Sequence, residues 1–165
     1  MSTHTNHHSD QALAEELKAH HAVMVADLDR LSGRLESVAE AGADPAEAKK
    51  ALTEWIGHTL VPHAEEEEET SYRAASELPA GRLLIVSMLA EHVLIRKLAA
   101  AFSAAQDPVA AGSYGRALFE VFSSHQQKEN EIILPLLVAD QSVSLTQVMS
   151  GSHGHVHAGA RAHAH

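Results

Sequence analysis

Apolar residues recur along the chain at steps of three and four residues, in four long segments. This spacing places them on one face of an α-helix, so the pattern predicts four long amphipathic helices. The first is predicted to run from a cap at Ser9 or Asp10 to about Ala41, and Gly42 ends it. The apolar seam of this helix consists of Leu17, His21, Met24, Leu28, Leu31, Leu35 and Val38.

The second helix has the clearest start signal. Asp44 is placed to cap it, Pro45 fits the first turn and Glu47 follows the cap by three residues. Pro62 lies inside the helix and removes one backbone hydrogen bond, which predicts a bend just before the next residue. The bend is either a purely structural feature or one that directs the His63 side chain toward a site. The seam consists of Leu52, Ile56, Thr59 or Leu60, His63 and Glu67.

Proline and glycine residues separate the remaining helices. Pro79 and Gly81 mark the turn into the third helix, and Asp107 and Pro108 start the fourth. The third seam consists of Ile85, Met88, His92, Ile95, Ala99 and Phe102. The fourth consists of Leu118, Phe122, His125, Glu129, Ile132 and Leu136. A short fifth helix is predicted around residues 142–150.

Four long helices with short connections predict an all-α protein, an antiparallel up-down-up-down four-helix bundle. The bundle is expected to span residues 10–150, between a flexible tail at residues 1–9 and a disordered, histidine-rich tail at residues 151–165. Eight of the fourteen histidines lie in these tails, where they either bind metal loosely or are simply solvated. These are His4, His7, His8, His153, His155, His157, His163 and His165.

Composition narrows the function classes. The chain has 165 residues and no cysteine, which excludes disulfides, thiolate metal sites and iron–sulfur clusters. A formal net charge of −10 argues against nucleic acid and anionic membranes as partners. No apolar run approaches the length of a membrane span, and the first residues lack the apolar core of a signal peptide. We therefore expect a cytoplasmic protein.

Each of the four long predicted helices carries one histidine on its apolar seam, and two of these histidines have a glutamate four residues later. Residues at that spacing lie on one face of a helix, about 6 Å apart along its axis, so both can reach one metal ion or a metal pair. A single seam histidine is more often a hydrogen-bonded core residue, but four in register favour a metal site. The predicted ligands are His21, His63, Glu67, His92, His125 and Glu129.

Iron suits this mixture of imidazole and carboxylate ligands. The two glutamates are the natural bridges between two iron ions, and the histidines are the terminal ligands, two for each ion. With an oxo or hydroxo bridge added, about two coordination positions of a six-coordinate pair stay open. The sequence thus predicts a diiron centre that binds a small diatomic or peroxide ligand: dioxygen, hydrogen peroxide or nitric oxide.

Neighbouring residues offer weaker alternatives. His20 points about 100° away from the first seam, and His58 lies about 140° around the helix from His63. The acidic run from Glu65 to Glu69 is mostly a solvated face, with Glu66 as the substitute ligand if Pro62 shifts the register. Packing roles are predicted for Trp55, Tyr72 and Tyr114.

The motifs on these helices resemble those of the hemerythrin-like family, the HHE cation-binding domains. The segment HQQKENEIILPLL from His125 resembles the family's closing motif, and HAEEEEETSY from His63 resembles its second-helix motif, although Arg73 replaces the usual proline. EHVLIRKL around His92 and HHAVMVADLDRL around His21 resemble the third and first helices. The resemblance covers about residues 10–138 and implies a four-helix bundle around a non-haem diiron centre.

Two departures refine what the resemblance implies. Oxygen-carrying members have a second histidine four residues from the one on helix 3, but the residues four positions from His92 are Met88 and Arg96. They also have an aspartate five residues after the helix 4 histidine, whereas in this chain Glu129 follows His125 by four. This chain is similar instead to members that act as sensors or handle peroxide or nitric oxide. Ferritin-like oxidases need Glu-x-x-His pairs, which this chain lacks.

Three functions follow as hypotheses. The first is a diiron protein that binds or turns over dioxygen, hydrogen peroxide or nitric oxide, with catalysis left open. The second is a non-catalytic metal-binding or storage protein, which the histidine-rich tails would help. The third is a sensor of oxygen or iron. The sequence leaves the oligomeric state open.

Overall fold

The computed structural model describes the backbone of residues 2–152 and the side chains of residues 8–151. Within that part, all regular secondary structure is helical and no strand occurs, as predicted. The helices are α1 (Ser2–Glu40), α2 (Ala46–Trp55), α3 (Val61–Glu69), α4 (Ser71–Glu77), α5 (Arg82–Ala104), α6 (Pro108–Lys128), α7 (Leu134–Ala139) and α8 (Leu145–Ser152). Two π-helical turns, Ile56–Leu60 and Glu129–Ile133, join α2 to α3 and α6 to α7.

The helices pack side by side as a helical bundle. Helix α1 lies along α6 and also contacts α2, while α5 packs against α6, α3 and α4. The short α8, predicted around residues 142–150, packs on α1 and α4. Within the described residues no helix is both long and apolar enough to cross a membrane.

The bundle interior has two apolar clusters with a polar layer between them. Along α1, α5 and α6, buried apolar residues on the two sides of the histidine belong to different clusters. The flanking pairs are Ala14 and Met24 on α1, Met88 and Ile95 on α5, and Phe122 and Ile133 around α6. The seam histidines therefore form one buried layer, closed above and below by apolar side chains.

The helix boundaries agree with several sequence signals. Gly42 follows α1 with a φ of 63°, a left-handed conformation that glycine adopts without strain. The Asp107 carboxylate accepts a hydrogen bond from the Ala110 N–H (2.9 Å) and so caps α6. The Asp44 carboxylate accepts one from the Ala46 N–H (3.0 Å) at the start of α2. Each carboxylate thus satisfies an N–H group in the first turn of a helix.

The start of α1 differs from the prediction. The helix begins at Ser2 instead of at Ser9 or Asp10, so residues 2–9, expected to be a loose tail, have helical backbone. No proline or glycine interrupts this segment, and nothing in it forces the helix to start later. At the other end α8 continues to Ser152, and residues 153–165 of the predicted C-terminal tail lie outside the described residues.

Both π-helical turns end two residues before a proline. The Val61 N–H bonds to the Ile56 carbonyl, and the Leu134 N–H bonds to the Glu129 carbonyl, each five residues back. Proline has no N–H and its ring clashes with the carbonyl four residues earlier, and a widened turn relieves both constraints. The bend predicted before His63 is thus realised as a π-helical turn that precedes Pro62.

The second π-helical turn also corrects the predicted seam after Glu129. Ile132 was expected on the seam but is 48% exposed, whereas Ile133 and Leu137 are buried. The widened turn takes up one extra residue, so the apolar face continues one position later than regular helical spacing predicts. The seams predicted for the first and third helices are confirmed at their central residues, all of which are buried.

Asp10 holds α8 in place instead of capping its own helix. Its carboxylate accepts hydrogen bonds from the Thr146 N–H (2.8 Å) and the Thr146 hydroxyl (2.6 Å), and so caps α8 from another helix. Burial alone would raise the pKa of Asp10, but these bonds lower it below its usual value. The carboxylate is therefore ionised at neutral pH and complements the positive end of α8.

We expect Asp10→Ala to lower the free energy of unfolding by about 1–2 kcal/mol, the effect of losing a helix cap. Asp27→Ala is the matched control, because Asp27 lies on the same helix but makes only a surface ion pair with Arg30 (3.0 Å), worth about 0–1 kcal/mol. Urea unfolding measures both values, and hydrogen exchange across residues 145–152 locates the change. Equal losses in the two variants would contradict the capping role.

Candidate metal centre

The structure brings all six predicted ligand residues into the buried layer. His21 comes from α1, His63 and Glu67 from α3, His92 from α5, and His125 from α6, and Glu129 opens the second π-helical turn. All are buried except His63, which is half-buried. They form two groups in which one ligand atom from each residue lies within 4.8 Å of the others. The first group is His21, His63, Glu67 and Glu129, and the second is Glu67, His92, His125 and Glu129.

Both glutamates belong to both groups. Glu67 Oε1 lies 2.9 Å from His63 Nε2 and 3.6 Å from His21 Nε2, while Glu67 Oε2 lies 3.6 Å from His92 Nε2. The two oxygens of one carboxylate therefore face different histidine pairs. Glu129 Oε1 lies 3.1 Å from His125 Nε2. This is the arrangement in which carboxylates can bridge two cations.

Hydrogen bonds at Nδ1, the ring nitrogen on the side away from the layer, orient three of the histidines. In each case the partner is a side-chain oxygen on another helical segment, which fixes the ring with Nε2 facing the layer. The pairs are His21 with Asn130 (2.7 Å), His92 with Glu68 (2.7 Å) and His125 with Glu91 (2.8 Å). A histidine that donates from Nδ1 keeps the Nε2 lone pair for a metal ion.

Cations anchor both of the carboxylates that orient a histidine ring. Arg96 Nη1 lies 2.9 Å from Glu68 Oε1, and Lys128 Nζ donates to Glu91 Oε1. Partial burial would raise the pKa of each carboxyl, but the bonds with its cation and its histidine bring the pKa of Glu68 and of Glu91 below the usual value. Both carboxylates are therefore ionised and accept the Nδ1–H of the histidine in front of them.

The charges in the layer favour a bound cation. Burial and the neighbouring charge of Glu129 raise the pKa of Glu67 well above its usual range. Burial also lowers the pKa of His21 and of His63, which keeps both imidazoles neutral at neutral pH. Neutral imidazole is the form that binds metal. Without a cation, the two buried glutamates repel each other, and Glu67 keeps a proton that a metal ion would displace.

Several inward-facing atoms of the layer lack hydrogen-bond partners among the described residues. These buried atoms are Glu67 Oε2, Glu129 Oε2 and His63 Nε2, whose 2.9 Å approach to Glu67 Oε1 does not have the geometry of a hydrogen bond. Buried polar atoms are nearly always paired, so three unpaired ligand atoms in one layer require an explanation. A metal pair bound by the two groups would satisfy all three. The residues present therefore fit two metal ions that share both carboxylates.

Tyr72 is a site residue that the sequence pattern does not predict. Its ring stacks on His92 and is 1% exposed, in agreement with the packing role expected from the sequence. In addition, its hydroxyl donates to Glu129 Oε1 and lies 2.9 Å from His125 Nε2. Burial and the charges of Glu129 and Glu67 raise the pKa of Tyr72 above its usual value, so the phenol stays protonated.

A break in the helix explains why the sequence pattern does not place Tyr72 in the site. On an uninterrupted helix, a residue nine positions after His63 would lie on the opposite face, about 180° away. Thr70 interrupts the helix with φ −115° and ψ −93°, and this change of direction turns α4 so that Tyr72 faces the layer. No signal at Thr70 in the sequence predicts such a break.

The alternative ligands lie outside both groups. His20 and His58 are exposed, and Glu66 is half-buried beside the layer. Trp55 packs edge-on against Phe122, as expected for a packing residue, whereas Tyr114 is 38% exposed. The π-helical turn before Pro62 leaves the four-residue spacing of His63 and Glu67 within one regular helix, so Glu67 and not Glu66 faces the layer.

The model of the hemerythrin HHE cation binding domain matches residues 12–137. The chain belongs to the hemerythrin HHE family. The match runs from α1 into α7 and includes all six residues of the two groups, whereas α8 lies beyond it. Searches of curated proteins and of solved structures found no match to the chain. The metal-binding character of this family agrees with the chemistry of the buried layer.

Proposed function

We propose that the four long helical stretches form an up-down-up-down antiparallel bundle that holds two iron ions. The bound pair would react with, or reversibly bind, dioxygen, hydrogen peroxide or nitric oxide. The observation that carries this proposal is that both groups of ligand residues contain both glutamates. Short connections between helices that contact their neighbours support the topology.

The donor set supports iron over calcium or magnesium. Each proposed position has two imidazole nitrogens and two shared carboxylates, whereas calcium and magnesium take oxygen ligands alone. Four histidines and two glutamates leave coordination positions that small molecules can fill. When bound, two iron ions would supply the redox chemistry of the site.

The surrounding residues would position the ligand and offer it a hydrogen bond. Glu68 and Glu91 fix the rings of His92 and His125 by accepting their Nδ1 hydrogens. The Tyr72 hydroxyl holds a proton beside Glu129, on the side of the layer that these two histidines line. A peroxide that reached this side would meet a neutral proton donor.

Helix α5 offers only one metal ligand, which favours turnover over reversible oxygen carriage. Met88, one turn before His92, is fully buried in an apolar cluster. Arg96, one turn after it, is paired with Glu68. Neither can add the further ligand that would shield one ion, so both ions would be open to an oxidant.

We expect the reduced, iron-loaded protein to oxidise quickly in air without a long-lived oxygenated form. Stopped-flow spectra recorded after mixing the diferrous protein with oxygen test this, and the near-ultraviolet band of an oxo-bridged pair reports the product. The control is the protein loaded with zinc, which has no redox chemistry. An oxygenated species that is stable and releases dioxygen under vacuum would contradict turnover and support carriage.

The histidine-rich tails favour the competing proposal of metal storage, and the same family membership is compatible with an oxygen or iron sensor. We expect a chain trimmed to residues 10–150 to keep two irons, because both groups of ligand residues lie within it. Metal analysis of protein purified without a nickel column measures the content before and after trimming. If trimming removes most of the iron, the tails hold it and storage is the better proposal.

A further inference from the structure

A cavity of about 400 Å³ opens beside the half of the layer that contains His21 and His63. Leu13 and Leu17 of α1 form one wall, and Met149 of α8 forms another. His21, His63 and Glu67, which belong to the first ligand group, also line it. The cavity therefore leads directly to one of the two proposed metal positions.

The cavity is too large for the ligands named so far. Dioxygen or hydrogen peroxide fills roughly the space of one or two water molecules, at about 30 Å³ each. A volume of about 400 Å³ lies in the range of pockets that bind small organic molecules, about 300–1,000 Å³. The size indicates a ligand with a body of several carbon atoms.

The lining has an apolar part and a polar part. Leu13, Leu17 and Met149 pack with the second apolar cluster, the one that contains Leu134. At the polar end, His63 Nε2 and Glu67 Oε2 are buried and have no hydrogen-bond partner among the described residues. A matching ligand has an apolar body and an oxygen-bearing end that reaches the metal layer.

Helix α8 lies outside the part of the chain that matches the family model. The family match ends at residue 137, before α8 begins at residue 145. The hydrogen bonds from Thr146 to Asp10 fix α8 against α1, and this contact places Met149 over the cavity. The segment outside the matched domain thus supplies one wall of the pocket.

From these observations we infer that the cavity binds a small organic hydroperoxide, with its alkyl or aryl group against Leu17 and Met149 and its oxygens toward His63. The inference rests on the proposed function. Reduction breaks the O–O bond, takes up two protons and two electrons, and releases an alcohol and water. Two ferrous ions held by the two groups of ligand residues would supply the two electrons and would each become ferric.

Binding can be tested without the reaction. The probe is 2-phenyl-2-propanol, the unreactive alcohol that corresponds to cumene hydroperoxide, added to the full chain with carbon-13 in its methionine methyl groups. We expect a saturable shift of the Met149 signal, while Met24 and Met88, which do not line the cavity, stay unchanged. No shift at Met149, or equal shifts at all three, would overturn the inference.

The second test measures the selectivity of the chain for an organic hydroperoxide over hydrogen peroxide. Met149→Trp narrows the cavity and should lower the ratio of the cumene hydroperoxide rate to the hydrogen peroxide rate by about tenfold. Gln147→Trp is the matched control, because Gln147 lies on the same helix with its side chain exposed, and its ratio should stay that of the unaltered chain. Met149→Phe makes the same test with a smaller side chain if the tryptophan variant fails to fold.

The outcomes separate this inference from the function on which it rests. An unchanged ratio in both Met149 variants, with unaltered iron content, would overturn hydroperoxide selectivity and leave the diiron proposal standing. If the chain holds no iron pair, or if the loaded chain neither binds nor reacts with dioxygen, hydrogen peroxide or nitric oxide, the proposed function fails. A Met149 shift with the alcohol probe would then still establish a pocket for small organic molecules, but hydroperoxide as its ligand would be wrong.

Discussion

Alanine in place of Glu67 or of Glu129 is expected to remove both metal ions, whereas alanine in place of His21 is expected to remove only one. Both glutamates belong to both groups of ligand residues, but His21 belongs to the first group alone. Loss of a shared carboxylate takes a ligand from each ion and also removes the negative charge that holds two cations together. Loss of His21 leaves the group with His92 and His125 complete.

Metal analysis of the purified variants measures this difference. We expect two irons per chain in the unaltered protein, about one in His21→Ala and nearly none in the two glutamate variants. Glu65→Ala is the matched control, because it removes an exposed carboxylate from the same helix. One remaining iron in Glu67→Ala would contradict a shared carboxylate and indicate two independent sites.

The buried layer of histidines and glutamates is the part of the structure that the sequence predicts best, for a physical reason. His21, His92 and His125 interrupt apolar seams at positions that regular helical spacing defines, and the glutamates follow His63 and His125 by a single helical turn. Local periodicity is sufficient to place such residues on the buried face. The family resemblance of the same motifs agrees with the domain match to residues 12–137.

Features that depend on irregular backbone could not be predicted in the same way. The π-helical turn Glu129–Ile133 moves the apolar face by one residue, so Ile133 is buried where Ile132 was expected. The break at Thr70 turns Tyr72 toward the layer, although its spacing from His63 would place it on the opposite face. Helical periodicity assumes a regular helix and fails after each irregular turn.

Contacts between residues far apart in the chain also could not be predicted from the sequence. The contact between Asp10 and Thr146 joins residues near opposite ends of the chain, and no local signal relates them. Asp10 has the residue type and position of a cap for its own helix, which is the role that the sequence predicts. The structure assigns its carboxylate to α8 instead, and α8 in turn forms one wall of the cavity beside His63.

The metal-free protein should become more stable when Glu67 is replaced by glutamine, although that variant should no longer hold two irons. Burial and the charge of Glu129 raise the pKa of Glu67 well above its usual range, so ionising this carboxyl in the folded protein costs free energy. Glutamine keeps the shape and carries no charge. We expect a gain on the order of 1 kcal/mol at neutral pH.

The difference between the two metal-free proteins should depend on pH in a defined direction. Glu67 loses its proton above a pKa of about 4.3 in the unfolded chain, but only at the raised pKa in the folded protein. Between these values the folded state binds more protons, so the unaltered protein loses stability relative to Glu67→Gln as the pH rises. His21 and His63 titrate in both proteins and largely cancel in the difference. Urea unfolding of chelator-treated protein from pH 5 to pH 8 measures this difference in stability. Glu65→Gln is the control, because Glu65 is exposed. Parallel stability curves for the unaltered protein and Glu67→Gln would show that the buried carboxylates do not repel each other in the metal-free state.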